Sequence, residues 1–159
     1  MSGVSKLLLA LVLTACAGPG RLETRPNKDY GPEIDPDLYF EVEQFLIDCL
    51  GHSCSLRDWN KITSIRFGVT RTDNEPNDIG YCLTEWRGDA VWKEIVISRE
   101  DNKPGTYQLL STVYHEMGHC LLNKEHDPSM PYKIMNPRST SESYLGEHWD
   151  ELVKQFFGG

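Results

Sequence analysis

The chain has 159 residues, 16 basic against 24 acidic, and a formal net charge of −8 at pH 7. No basic cluster interrupts that acidic balance, so nucleic acid is excluded as an expected partner. Once an N-terminal leader and tether are set aside, about 125 residues remain, enough for one core and too few for two.

Lys6 is followed by an apolar run from Leu7 to Leu13, which closes on Leu13-Thr14-Ala15-Cys16. The run is shorter than the ~20 apolar residues that a membrane span needs, and it suits a secretory signal peptide over residues 1–15. Leu-Thr-Ala-Cys resembles the bacterial lipobox, a resemblance that implies lipidation of Cys16 as the mature N-terminus. Ala17 in place of Asp resembles outer-membrane sorting. Residues 16–33 carry Gly18, Pro19, Gly20, Pro26, Gly31 and Pro32 with little apolar periodicity, and read as a lipidated N-terminus and flexible tether. Residues 34–159 form the expected domain.

Apart from Cys16 there are four cysteines, Cys49, Cys54, Cys82 and Cys120, an even number in a chain expected to leave the reducing cytoplasm. Of three possible connectivities, Cys49 with Cys54 and Cys82 with Cys120 is preferred. The first closes a short loop after a helix, and the second staples a strand to a helix. Metal binding by these thiols is the rival reading, but paired C-x-x-C elements are lacking.

The domain opens on Asp35-Pro36, an N-cap followed by proline at the first helical position. Leu38, Val42, Phe45, Leu46, Cys49 and Leu50 then recur at helical spacing and predict a backing helix. His52 is expected to be a solvated loop residue. Ile62 to Thr70 predicts a strand, with Ile65, Phe67 and Val69 alternating against Ser64, Arg66 and Gly68. Thr72 to Ile79 is a polar turn region. Two further strands follow, Gly80 to Trp86 and Val91 to Ser98, joined through Arg87-Gly88-Asp89, which has hairpin chemistry.

The centre of the chain is His115-Glu116-Met117-Gly118-His119. Residues four apart lie on one face of a helix, so His115 and His119 aim two imidazoles at a single ion, the geometry that zinc accepts. Glu116 lies about 100° around the same helix, where its carboxylate reaches a metal-activated water, taking a proton and later passing it to a leaving amine. Leu109, Leu110, Val113, Tyr114, Met117 and Leu121 define a core face. Gln108, Thr112, His115, Glu116 and His119 fall on the other side.

Beyond His119 come Asn123, Glu125, His126 and Asp127, and then Ile134-Met135-Asn136-Pro137. The whole stretch resembles the metzincin clan of zinc metallopeptidases, whose H-E-x-x-H-x-x-G-x-x-H pattern precedes a methionine turn. Here Leu122 occupies the glycine position and the histidine falls one residue late. Asn is the next residue best able to adopt the left-handed conformation that ends the helix. Counted from Asn123, the interval to His126 is the family's. The expected metal ligands are therefore His115, His119 and His126, with Glu125 the competing third ligand and Asp127 close by.

The resemblance also implies Met135 as a packing element under the site, and Glu116 as general base and then acid. It implies an edge strand within Gly80 to Ser98 that pairs with extended substrate. Pro137 stands where the family often has a tyrosine, so Tyr132, Tyr144 and His148 are open candidates for transition-state stabilisation. Leu145, Trp149, Leu152 and Phe156 predict a C-terminal helix.

The expected fold is α+β and zincin-like: backing helix, small mixed sheet, active-site helix, Met-turn and C-terminal helix. The expected function is that of a monomeric, zinc-dependent endopeptidase (cofactor Zn2+) that is lipid-anchored to the bacterial envelope and cleaves extended peptide or protein. A non-catalytic zinc-binding lipoprotein, or an interaction lipoprotein with incidental histidines, is the alternative.

Overall fold

A computed structural model of the chain describes residues 31–70 and 79–158. The expected signal peptide, Cys16, almost all of the tether and most of the polar turn at 72–79 lie outside the described residues. Among these, no helix is long and apolar enough to cross a membrane.

Asp35 caps as its sequence predicts, its Oδ1 accepting from the Asp37 N–H at 3.1 Å. What it starts is a 3-10 turn, Pro36–Leu38, and the α-helix proper, α1, runs Tyr39–Gly51. Leu38, Val42, Phe45 and Cys49 are buried along one stripe. Leu50, expected in that face, is 46% exposed. It lies one residue past Cys49, about 100° off the stripe. The helix ends where Ser53 takes a positive φ of 58° and the Cys54 N–H returns to the Cys49 carbonyl at 2.8 Å. Cys49 and Cys54 are joined across that turn.

Four strands build one mixed sheet in the order β1-β2-β4-β3: β1 Glu33–Ile34, β2 Ile62–Gly68, β3 Gly80–Arg87 and β4 Ala90–Ser98. β1, β2 and β4 are mutually parallel. β1 begins at Glu33, the last residue of the expected tether, because Glu33 and Ile34 pair with Ser64 and Ile65. β2 stops two residues earlier than predicted, its last pair being Gly68 with Ser98, and Val69 is 86% exposed. An irregularity between Ile62 and Ser64 lets both Ile62 and Ile65 face the core although they are an odd number of residues apart.

β4 is one of the two inner strands, and its run Ile95-Val96-Ile97-Ser98 is buried on both faces. β3 runs antiparallel to it, and the pair Arg87 with Ala90 leaves a two-residue loop in which Gly88 supplies the positive φ of 62°. Among the described residues, β3 alone of these two strands has a free edge. Of the segment Gly80 to Ser98, β3 is therefore the edge strand.

Helix α2, Tyr107–Leu122, begins at Thr106, whose Oγ1 accepts from the Leu109 N–H at 3.2 Å. The Glu142 carboxylate accepts the Tyr107 and Gln108 N–H groups at 2.8 and 2.7 Å. Three of the four orphan donors at this helix end are thus satisfied. Glu142 opens α3, Glu142–Gly158, so one carboxylate ties the starts of two helices together.

The core lies between α1, α2, α3 and the sheet. Tyr114 is fully buried, 5.0 Å from the Phe45 ring and 5.9 Å from that of Phe156, and its hydroxyl donates to Asp48. Burying each such ring contributes roughly 1.5–3 kcal/mol, and the Asp48 partner removes the penalty of a buried hydroxyl. Cys82 on β3 is bonded to Cys120 on α2, with Cα atoms 5.6 Å apart, so the edge strand is stapled to this helix.

Candidate metal centre

His115 and His119 sit one turn apart on α2 with ring centroids 4.8 Å apart. The Nδ1 of His115 lies 2.7 Å from the Ile134 carbonyl, and that of His119 lies 2.6 Å from the Lys124 carbonyl. A carbonyl can only accept, so each Nδ1 is the protonated nitrogen and each Nε2 presents a lone pair. Those two Nε2 atoms are 3.1 Å apart, and the Nε2 of His126 is 3.1 Å from that of His115. All three ligand atoms lie within 4.8 Å of one another.

Nitrogens bound tetrahedrally at 2.0–2.1 Å from zinc stand about 3.3 Å apart, close to the two 3.1 Å separations that His119 and His126 make with the His115 Nε2. The triad can therefore hold a metal ion. Burial pushes the His115 ring down to about 4, and the neighbouring imidazoles push the same way. Burial likewise lowers His119. Both rings are held in the neutral form that ligates.

His126 reaches the site because α2 ends on Asn123, at φ 52° and ψ 36°, in the left-handed region. The Asn123 and Lys124 N–H groups both turn back to the Gly118 carbonyl. Glu125, the competing third ligand, lines the cleft but stands outside the ligand group. Asp127 also stands outside that group. Hydrogen bonds from Lys133 and Ser129 hold its carboxyl down at about 2, and its N–H donates to the Met135 carbonyl at 2.8 Å. Asp127 thus organises the loop that leads to Met135.

Glu116 is 3% exposed and shares the cleft, about 490 Å³, with the three histidines. β3 forms one wall and Pro137 to Thr140 another. Two glycines that the sequence reading passed over shape this centre. A Cβ on Gly80 would stand 2.8 Å from the Glu116 Oε1, and one on Gly118 would stand 2.6 Å from the Met135 Sδ.

Met135 is buried against Gly118, beneath the helix that carries the ligands. A glycine inside a helix costs about 1 kcal/mol relative to alanine, and that was the available signal for Gly118. Gly80 had none beyond its place at a strand start. Tyr132 stacks on Tyr144 at 4.3 Å, Tyr144 meets His148 edge-on at 4.2 Å, and none of the three lines the cleft. His52 is exposed and stacks on Phe157 at 5.1 Å.

The chain matches no protein-family profile, no curated protein and no solved structure.

Proposed function

We propose that this chain is a zinc-dependent endopeptidase of metzincin type, carried on the bacterial envelope through a lipid at Cys16. The observation that carries the catalytic reading is the convergence of three imidazole Nε2 atoms in an open cleft that also holds the Glu116 carboxylate. His115, His119 and His126 would hold zinc, leaving one position open. When bound, that ion supplies the Lewis acidity that activates a water and polarises a carbonyl.

Glu116 takes the water's proton on its carboxylate and returns it to the departing amine nitrogen. Its burial keeps bulk water from competing for that carboxylate. The free edge of β3 offers main-chain donors and acceptors to an extended peptide, aligning it across the cleft by strand addition. The two disulfides agree with an exported protein, and the Leu-Thr-Ala-Cys sequence supports the lipid anchor.

The test is Glu116→Gln. Zinc content is expected to stay at the wild-type value while cleavage of a protein substrate falls by about 100-fold or more. Unchanged biological activity in that variant would assign the site to binding without turnover. Anchoring is checked separately, by loss of the protein from the membrane fraction on Cys16→Ala; retention there refutes it.

A further inference from the structure

The one-residue delay of His126 needs something to hold the turn in place, and the structure provides it from the sheet. Lys93, in the middle of β4, is 7% exposed. Its Nζ donates to the Cys120 carbonyl, and to the Asn123 Oδ1 at 3.4 Å. Cys120 lies in the last turn of α2, where carbonyls lose their helical partners. The N–H that would close on it, that of Lys124, goes to the Gly118 carbonyl instead. A cation at this end is also favoured by the helix dipole. The second acceptor belongs to Asn123, whose left-handed backbone sends the chain back toward the metal centre.

We infer that Lys93 is a positioning residue for the metal centre: by clamping the end of α2 and the Asn123 side chain together, it fixes where His126 meets His115 and His119. The inference rests on the triad being a metal site. The hydrogen bonds of the Lys93 Nζ go to Cys120 and Asn123, so it acts on the third ligand through the turn. The two ligands on the helix keep their own backbone partners, at Ile134 and Lys124. The device also accounts for a lysine at a position in an inner strand where an apolar side chain would otherwise be expected.

The experiment measures zinc affinity of the full chain by competition with a chromophoric chelator. Wild type, Lys93→Met, His126→Ala and the double variant are compared, with melting temperature recorded alongside. Loss of a partner that orients a ligand typically weakens metal binding by about 10-fold or more, which is the change expected for Lys93→Met. In the His126→Ala background the same substitution is expected to change affinity by less than about twofold, since the ligand it positions is gone.

Equal losses in both backgrounds would reduce Lys93 to a general stabiliser, and an unchanged affinity in Lys93→Met would overturn the inference outright. Failure of the wild type to bind zinc would sink the metal site and this inference together. Should Lys93→Met not fold, Asn123→Gly keeps the left-handed turn and removes only the Oδ1 acceptor. An affinity loss of about threefold or more that disappears without His126 supports the clamp, and wild-type affinity refutes it.

Discussion

Gly80→Ala puts the proposed role of Glu116 under the sharpest test. Gly80 has an ordinary negative-φ backbone, so alanine adopts its conformation without strain. The new methyl would sit 2.8 Å from the Glu116 Oε1, 3.0 Å from its Cγ and 3.2 Å from its Cδ. Ordinary carbon contacts are about 3.5–4.0 Å, so the overlap with the carboxylate is roughly 0.7 Å or more. Glu116 lines the cleft of about 490 Å³, so the overlap is relieved by pushing its carboxylate aside into that space.

Overpacking of this kind costs about 1–3 kcal/mol, and replacing glycine within a strand offsets about 0.5–1 kcal/mol of it. Stability therefore falls only modestly. Under the proposed role of Glu116, catalysis suffers more, since a displacement of about 1 Å in a catalytic group costs about 100-fold. The expected outcome is full zinc content with kcat reduced by roughly 10- to 100-fold and KM little changed. The assay pairs elemental analysis with initial rates on a protein that the wild type cleaves. A Gly80→Ala enzyme with wild-type kcat and wild-type zinc would refute the claim that this strand start sets the position of Glu116.

Gly118→Ala sets two effects against each other. Helix propensity favours alanine by about 1 kcal/mol, but the Cβ meets the Met135 Sδ at 2.6 Å and the Phe156 ring at 3.1 and 3.2 Å. Overpacking is expected to win, so thermal denaturation should show a lower Tm than wild type; a raised Tm would mean that Met135 moves aside freely. On the sheet, hydrogen bonds from Arg66 and Ser64 hold the Glu94 carboxyl below its ordinary value of 4.5. A depressed folded-state value means that this stabilisation is present above about pH 4.5 and is lost as pH falls below it. The Arg66 side chain is 48% exposed, so the contribution is about 1 kcal/mol or less. Urea unfolding of wild type and Glu94→Gln should therefore converge as pH drops from 6 to about 3; a gap that stays constant or widens over that range contradicts the ion pair.

Much of the candidate metal centre was legible because it is local. The spacing of His115 and His119 is a property of one helix turn, and the side-chain pattern of Leu109 to Leu121 says which way that turn faces. Asn123 could be named as the turn residue because few side chains adopt the left-handed region, and the structure finds it there at φ 52°. The pairing of Cys82 with Cys120 followed from placing one cysteine on a strand and the other on the helix of His115 and His119.

Other parts lay beyond any local pattern. Which strand of the β3–β4 hairpin keeps a free edge depends on β4 pairing in parallel with β2, a contact made across some thirty intervening residues. Glu142 capping α2, Gly80 lying on Glu116 and Lys93 reaching Cys120 are likewise contacts between distant segments. Residue type and periodicity determine which face of an element is buried and where it turns, because those choices are settled by the dihedrals and side chains of neighbouring residues. Which residue of one element meets which residue of another is settled by strand register and by the packing of the whole core, and only the tertiary structure decides it.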